Sequence, residues 1–198
     1  MSNQIETTFT VQLENRNRQT VFFRVILVFP IFIFMASLSA MAKNQDWTNS
    51  TYGILVIPVM LTLLFRGVYP SWLLSFNKSI FGLGNRAWVY LALLTDEYPS
   101  LEDNQVVTFV FPEIDGGKKL HRALPLIKWL LAIPLYIVGL VYALYGIFLI
   151  FLAWIGILST GKLSSSYAEG ISSISAYWNR VYGYAILLVT DEYPSFSL

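Results

Sequence analysis

Cysteine is absent from this 198-residue chain, and histidine occurs once, at His121. The lack of cysteine excludes disulfides, thiolate nucleophiles and cysteine-ligated metals. A single histidine excludes a metal site built from several histidines, and no catalytic-triad motif accompanies it. The chain also has no glycine-rich phosphate loop, GxSxG elbow, HExxH helix or dinucleotide-binding fingerprint. The sequence therefore predicts no enzyme, no cofactor and no metal.

Charge is scarce as well. Asp, Glu, Lys and Arg make up 13% of the residues, against roughly 25% in an ordinary soluble domain. The net charge of +1 gives no electrostatic basis for binding nucleic acid. Hydrophobic residues reach 56% and gather in runs that approach the roughly 20 helical residues needed to cross a bilayer core. This composition predicts an integral membrane protein.

The sequence Thr-Asp-Glu-Tyr-Pro-Ser occurs twice, at residues 95–100 and 190–195, and each copy follows an Asn-Arg pair. Weaker matches upstream keep the same order. Pro30 and Pro134 lie 104 positions apart, whereas Gly67 and Gly161 lie 94 apart, so the first copy has 104 minus 94, or ten, additional residues between them. We interpret this as a duplication, with a first module at 1–103 and a second at 104–198.

Each module is predicted to contain a short strand and three helices. Residues 5–13 alternate between apolar and polar side chains, residues 106–111 are β-branched and aromatic, and the two strands are expected to pair. Two apolar helices follow, at 21–42 and 52–68 in the first module and at 123–141 and 142–158 in the second. Because 123–158 is one apolar run, a tight turn is expected near Tyr145-Gly146. The third helix, at 71–94 and 164–189, is amphipathic and expected at the membrane interface.

These elements predict a membrane all-α fold with four transmembrane helices in two parallel tandem repeats. In this topology every one of the 13 Lys and Arg residues except Lys43 lies on the face that carries both termini. The positive-inside rule makes that face cytoplasmic. The two modules would then point the same way, and the two Thr-Asp-Glu-Tyr-Pro segments would lie side by side.

The acidic pairs that begin with Asp96 and Asp191 are the only repeated carboxylate pairs, and close carboxylates can bind metal or shift each other's pKa. A structural interpretation is stronger, because an acidic pair followed by proline after an apolar helix is typical of a helix stop. Arg86 and Arg180 suit either lipid phosphates or these acids, and the sequence leaves that choice open.

Arg24 and Lys128 are predicted inside the first helix of each module, close to its cytoplasmic end. An intramembrane charge is a functional candidate by default, but a long basic side chain near the interface can extend to the headgroups, and we favour that interpretation. The candidate contacts for lipid or a partner are Arg86, Arg180, Asp96, Asp191, Tyr98, Tyr193, Trp88, Trp178, Arg24 and Lys128.

The sequence around these residues resembles a bacterial membrane-protein family known only as a domain of unknown function. The resemblance rests on Gly67-Val68-Tyr69-Pro70, on the Asn-Arg pairs and on the ending Leu-Leu-Thr-Asp-Glu-Tyr-Pro of the first module. The second module repeats the ending but has Lys162-Leu163 in place of the upstream Tyr-Pro pair. The resemblance implies a bacterial inner-membrane location and forms with one or two modules, and it implies no activity.

We therefore expect a small inner-membrane protein with a structural or accessory role, acting by self-association or as a subunit of a membrane complex. The alternative is a lipid-binding or transport protein that uses a basic cytoplasmic rim to hold anionic headgroups. Membrane lipids and a homo-oligomeric or larger complex are the expected partners. The rim comprises Arg86, Arg180, Lys118, Lys119 and Arg122.

Overall fold

A computed structural model describes residues 3–40, 55–102 and 106–198. Helices dominate this described part, and one pair of strands accompanies them in it. Residues 1, 2, 41–54 and 103–105 lie outside the described part, and with them the extra polar loop around Lys43. The elements are β1 (Glu6–Phe9), α1 (Arg18–Leu27), α2 (Phe29–Ala40), α3 (Val56–Arg66), α4 (Ser71–Leu91), β2 (Val107–Val110), α5 (Lys128–Leu131), α6 (Ile133–Thr160) and α7 (Ser165–Ala185).

The two strands pair as the alternation predicts. β1 and β2 are antiparallel, with Thr8 opposite Thr108. Successive side chains of a strand point to opposite faces, so Glu6, Thr8 and Thr108 lie on an exposed face while Val107 is buried on the other. The pair forms a small sheet whose exposed face carries Glu6, Thr8 and Thr108 beside Val110.

Proline ends one helix and begins the next at two places. Pro30 is the second residue of α2, which follows α1 after Val28 alone, and Pro134 is the second residue of α6, which follows α5 after Ala132 alone. Proline lacks the N–H that a helix interior needs but is tolerated in a first turn. The sequence predicts that each of these prolines kinks one continuous helix, whereas the structure has two separate helices at each place.

The predicted hairpin at 123–158 is wrong. α6 is one continuous helix of 28 residues that passes through Tyr145 and Gly146 without a turn. No proline or polar residue interrupts it there, and the missing side chain of Gly146 lets α7 approach, since a Cβ would lie 3.3 Å from Ile174. The prediction of four transmembrane helices depended on this hairpin and fails with it.

α7 packs antiparallel along the whole of α6 rather than lying apart at the interface. A Cβ at Gly139 would lie 2.7 Å from Trp178, and a Cβ at Gly170 would lie 2.6 Å from Leu149. Tyr177 Oη also donates to Leu135 O at 2.7 Å. The amphipathic pattern of α7 was predicted correctly, but its apolar face meets a neighbouring helix. The interfacial position of this helix stays a prediction.

α1 and α2 also run antiparallel to α6. Arg18 at the start of α1 donates to Ser159 O at the end of α6, 3.1 Å away. The rings of Phe22 and Trp154 stack with centroids 6.3 Å apart. The two long apolar elements therefore pass each other head to tail.

α4 and α7 form a middle layer and cross antiparallel. Asn179 Nδ2 donates to Asn85 Oδ1 at 2.8 Å where the two helices cross. On the α7 surface opposite α6, Ile5 beside β1 packs on Gly183, with its Cδ1 2.7 Å from where a Cβ would stand. The fold thus has three layers: the sheet, then α4 with α7, then α1–α2 with α6.

Among the described residues, two helical segments are long and apolar enough to cross a membrane, Arg18–Ser37 and Ile133–Thr160, with mean hydropathies of 2.2 and 2.4. α3 is apolar but has only 11 residues. In each long segment only 22% of the most apolar stretch is buried by the rest of the protein. The surface left open by α6 consists of residues such as Ile137, Leu140, Val141, Leu144, Phe148 and Phe151.

Candidate functional site

The first Thr-Asp-Glu-Tyr-Pro segment holds two buried arginines through Asp96. Arg24 Nη2 lies 2.5 Å from Asp96 Oδ1, and Arg16 Nη2 lies 2.7 Å from the same oxygen. The backbone N–H of Asn17 donates to the other carboxylate oxygen at 2.7 Å. Arg24 also donates to Tyr90 O at 2.7 Å, with its guanidinium 4.4 Å from the Tyr90 ring centroid. Asp96 thus joins the start of α1 to the end of α4.

The second segment holds Lys128 in the corresponding way. Lys128 is fully buried, its Nζ lies 2.6 Å from Asp191 Oδ1, and it donates to Thr190 O at 2.7 Å. The N–H of His121 donates to the other Asp191 oxygen at 2.5 Å. Lys128 Nζ lies 5.3 Å from the Tyr184 ring centroid. The interpretation that Arg24 and Lys128 extend to lipid headgroups is therefore wrong, because both are paired inside the protein.

The remaining residues of the two segments form matching turns. Thr95 Oγ1 accepts from the N–H of Glu97 and Thr190 Oγ1 from that of Glu192, each at 3.1 Å. Tyr98 packs edge-on against Tyr90 with ring centroids 5.7 Å apart, and Tyr193 packs against Tyr184 in the same way at 5.6 Å. Hydroxyl-to-backbone bonds of this kind are typical of turn formation. Both segments therefore close the end of a helix, as the structural interpretation of the acidic pairs predicted.

Arg86 and Arg180 donate hydrogen bonds to backbone carbonyls just after the two Thr-Asp-Glu-Tyr-Pro segments. Arg86 Nε donates to Ser100 O at 2.8 Å, and Arg180 donates to Ser197 O. The choice that the sequence left open for these arginines, between lipid phosphates and the acidic pairs, stays open. The exposed rim cations Lys118 and Lys119 lie near Asp115 and Glu113 respectively.

The two segments lie at opposite ends of α6, not side by side. Asp191 pairs with Lys128, and Tyr193 Oη donates to Leu131 O at 3.2 Å, both just before the start of α6. At the other end, the N–H of Arg16, whose side chain binds Asp96, donates to Gly161 O at 3.2 Å. At 1.5 Å per residue, 28 helical residues separate these places by about 42 Å. The prediction of adjacent segments is therefore wrong.

Ionisation of the two pairs is biased in different ways. Burial alone would raise the pKa of Asp96, but hydrogen bonds from Arg16 and the Asn17 N–H, with the charge of Arg16, hold that pKa below its usual range. Burial lowers the pKa of Lys128, and the contact with Asp191 only partly opposes this. Within the described residues no group of three His, Asp or Glu side chains is placed to hold a metal.

An apolar groove of about 390 Å³ lies where the two halves of the chain meet. Sites for small molecules typically span about 300–1,000 Å³. The groove is bounded by α2, α4, α6 and α7, and it includes Trp88 and Trp178. Trp88 Nε1 donates to Ser175 Oγ at 2.9 Å inside it. The lining residues are Met35, Ile80, Phe81, Gly84, Asn85, Trp88, Ala143, Gly146, Ile147, Ile174, Ser175, Trp178, Asn179 and Tyr182.

The polar part of this groove is the buried pair Asn85 and Asn179. Asn179 Nδ2 donates to Asn85 Oδ1 and to Thr7 Oγ1, at 2.8 and 3.2 Å, and Asn85 Nδ2 donates to Phe81 O. These bonds use both amide hydrogens of Asn179, and no donor in the described part of the chain reaches its Oδ1. Asn179 is 5% exposed. The groove therefore offers a hydrogen-bond acceptor in an apolar setting.

Sequence reasoning identified the Asn-Arg pairs but assigned no role to Asn85 and Asn179, and it did not identify Arg16. The signal for the asparagines was present, because amide side chains at equivalent places in two amphipathic helices are costly unless they meet. Arg16 gave no comparable signal, since it lies in a polar segment and its contact with Asp96 depends on the tertiary fold.

Residues 124–197 match the family model of a domain of unknown function, DUF4389. The match is a single copy that contains α5, α6, α7 and the second Thr-Asp-Glu-Tyr-Pro segment. The resemblance to an uncharacterised family is thus confirmed for this part of the chain. No curated protein and no solved structure matches the chain.

Proposed function

We propose that this protein belongs to a bacterial inner membrane and binds a lipid in the groove between the two halves of its chain. The groove carries the proposal, since its lining is mostly apolar, the polar side chains being Ser175, Tyr182 and the two asparagines. A hydrocarbon chain suits such walls, and a hydroxyl or amide N–H suits the open acceptor Asn179 Oδ1. The proposed ligand is therefore a lipid that carries a hydrogen-bond donor next to its hydrocarbon chain.

We further propose that the two halves are duplicated modules related by a two-fold axis through the groove. The axis would pass between Asn85 and Asn179, which bond to each other across the helix crossing. Contacts on either side of the axis support it. Phe81 corresponds to Ser175 and Trp88 to Tyr182, each 94 positions later. The Phe81 and Tyr182 rings lie 6.4 Å apart, and the symmetry-related pair, Trp88 and Ser175, is hydrogen-bonded. The modules would then run antiparallel, each closed by its own cation and carboxylate.

Filling the groove is expected to remove the lipid. A Cβ at Gly84 would have room, with Met35 Cε 3.5 Å away, so a leucine side chain there would occupy the groove. Gly156→Leu is the matched control, because a Cβ at Gly156 of α6 meets nothing within 4 Å. We expect Gly84→Leu to reduce copurified lipid per protein at least fivefold in mass spectrometry, and Gly156→Leu to leave it unchanged.

A second readout distinguishes recognition from simple filling. Asn179→Leu is expected to abolish the preference for a brominated fatty alcohol over its methyl ether, measured as the part of the tryptophan quenching that is lost when Trp88 and Trp178 are replaced by phenylalanine. The two probes share their chain and differ in the donor. Equal quenching by both probes in the unsubstituted protein would contradict the role of Asn179, and lipid retained by Gly84→Leu would contradict binding in the groove.

The structural or accessory role remains the second proposal. The open apolar surface of α6 favours it, because a neighbouring membrane subunit or a second copy could cover that surface. Lipid binding through the basic rim has less support, since Arg86 and Arg180 already donate to backbone carbonyls. A gentle pull-down from native membrane that yields a stoichiometric partner would favour the accessory role, and a monomer with bound lipid would favour the groove.

A further inference from the structure

Polar groups lie at both ends of α6. At its C-terminal end, Lys162 Nζ pairs with Glu14 at 3.0 Å on the surface, and Arg18 is exposed. Before its N-terminal end, His121 and Arg122 are exposed. Both ends of this long apolar helix therefore reach water or headgroups, which is compatible with a helix across the membrane and equally with one lying in its plane.

The sheet distinguishes these two orientations. β1 and its flanking residues contact α7 at Asn179 and Gly183, while the opposite face of α7 contacts α6 through Ile174 and Trp178. Along the axis of α6, the sheet thus lies between the two ends of that helix. The middle layer of α4 and α7 separates the sheet from α6. If α6 crossed the bilayer, exposed Glu6 would be placed at hydrocarbon depth.

The backbone of the sheet makes that placement costly. A two-stranded sheet has two open edges, and each unsatisfied backbone group in hydrocarbon costs several kcal/mol. Its exposed face carries the charged Glu6 with Thr8 and Thr108, beside one apolar residue, Val110. Spanning structures avoid this by using helices or closed barrels only. The sheet therefore belongs in water.

We infer that the protein is seated in one leaflet, with α1–α2 and α6 lying in the membrane plane among the acyl chains, α4 and α7 above them, and the sheet in water. A leaflet contributes about 15 Å of hydrocarbon, which accommodates one layer of helices about 10 Å wide. The all-round apolar surface of α6 suits a helix covered by protein on one side and by lipid elsewhere. This inference goes beyond the proposed function and does not depend on a lipid in the groove.

In-plane seating also accounts for the charge distribution. Exposed cations lie at both ends of α6, Arg122 before its start and Arg18 and Lys162 at its other end. When α6 lies flat, its two ends meet the same face of the membrane, and these positive charges then share that face, as the positive-inside rule favours. The groove between α2 and α6 would open into the leaflet beneath.

Single cysteines test this seating, and the natural absence of cysteine provides the blank. Arg122→Cys and Lys162→Cys mark the two ends of α6, and Leu144→Cys marks its centre on the side away from α7. Each full-length variant is labelled with a membrane-impermeant maleimide in spheroplasts and in inverted vesicles. We expect both end positions to react from the same side and Leu144→Cys to react from neither.

Each other outcome overturns the inference. End positions that react from opposite sides would show that α6 crosses the membrane. Labelling of Leu144→Cys from the side opposite the ends would show a hairpin. All three variants must react after solubilisation in detergent, which establishes that protection in the membrane comes from lipid and that each cysteine is free.

Discussion

Replacing Asp96 with asparagine is expected to lower the free energy of unfolding by about 3–5 kcal/mol, the usual cost of breaking a buried ion pair. The change leaves the guanidinium of Arg24, which is 2% exposed, without its counter-charge. Arginine cannot relieve this by losing its proton in a protein. Chemical unfolding in detergent, followed by tryptophan fluorescence, measures the loss.

Glu97→Gln is the matched control for Asp96→Asn. Glu97 is the adjacent acid of the same segment and is exposed, so its replacement is expected to change stability by less than about 0.5 kcal/mol. Equal effects of the two substitutions would contradict the assignment of Asp96 as the internal partner.

Asp191→Asn is expected to cost less, about 1–3 kcal/mol, although Lys128 is fully buried. The reason is chemical: burial already lowers the pKa of Lys128, so without Asp191 its ammonium can release a proton. It also keeps its bond to Thr190 O. The same unfolding assay compares the two asparagine variants, and an Asp191→Asn loss equal to or larger than that of Asp96→Asn would contradict this difference.

The Asp191→Asn variant should also show a distinctive pH dependence. Its unfolded chain keeps a protonated Lys128 up to about pH 10.4, whereas burial lowers the pKa of Lys128 in the folded state. Between the lowered pKa and the usual one the unfolded state binds more protons, so stability rises with pH towards about 10.4. Asp96 acts at the acidic end: its lowered pKa gives stability that is present above the usual aspartate pKa and is lost as pH falls. A flat profile above pH 7 in Asp191→Asn would contradict the account of Lys128.

Local patterns were sufficient to predict some of the elements. The strand pairing, the two amphipathic helices and the helix-ending role of Asp96 and Asp191 followed from alternation, periodicity and the neighbouring prolines. The long apolar run at 123–158 was ambiguous, because length alone favoured a hairpin and only tertiary contact with α7 explains why Gly146 stays helical. Local patterns of this kind predict the type of secondary structure of a segment but not its length.

The pairing of charges was beyond the sequence for a related reason. Arg24 lies 72 positions from Asp96, and Lys128 lies 63 positions before Asp191, so neither contact leaves a local signature. A charge inside an apolar helix is compatible with lipid headgroups or with an internal partner, and the choice depends on where the chain returns. α4 packs beside α1–α2 and α7 packs beside α6, and this packing brings Asp96 to Arg24 and Asp191 to Lys128.

Double-mutant cycles test most directly the central claim that each half of the chain is closed by its own ion pair at opposite ends of α6. The cycles combine Arg24→Met with Asp96→Asn, Lys128→Met with Asp191→Asn, and the crossed pair Arg24→Met with Asp191→Asn. We predict coupling of about 1–3 kcal/mol within each half and additivity within about 0.5 kcal/mol for the crossed pair. Coupling in the crossed pair as large as that within a half, or additivity within both halves, would contradict the account.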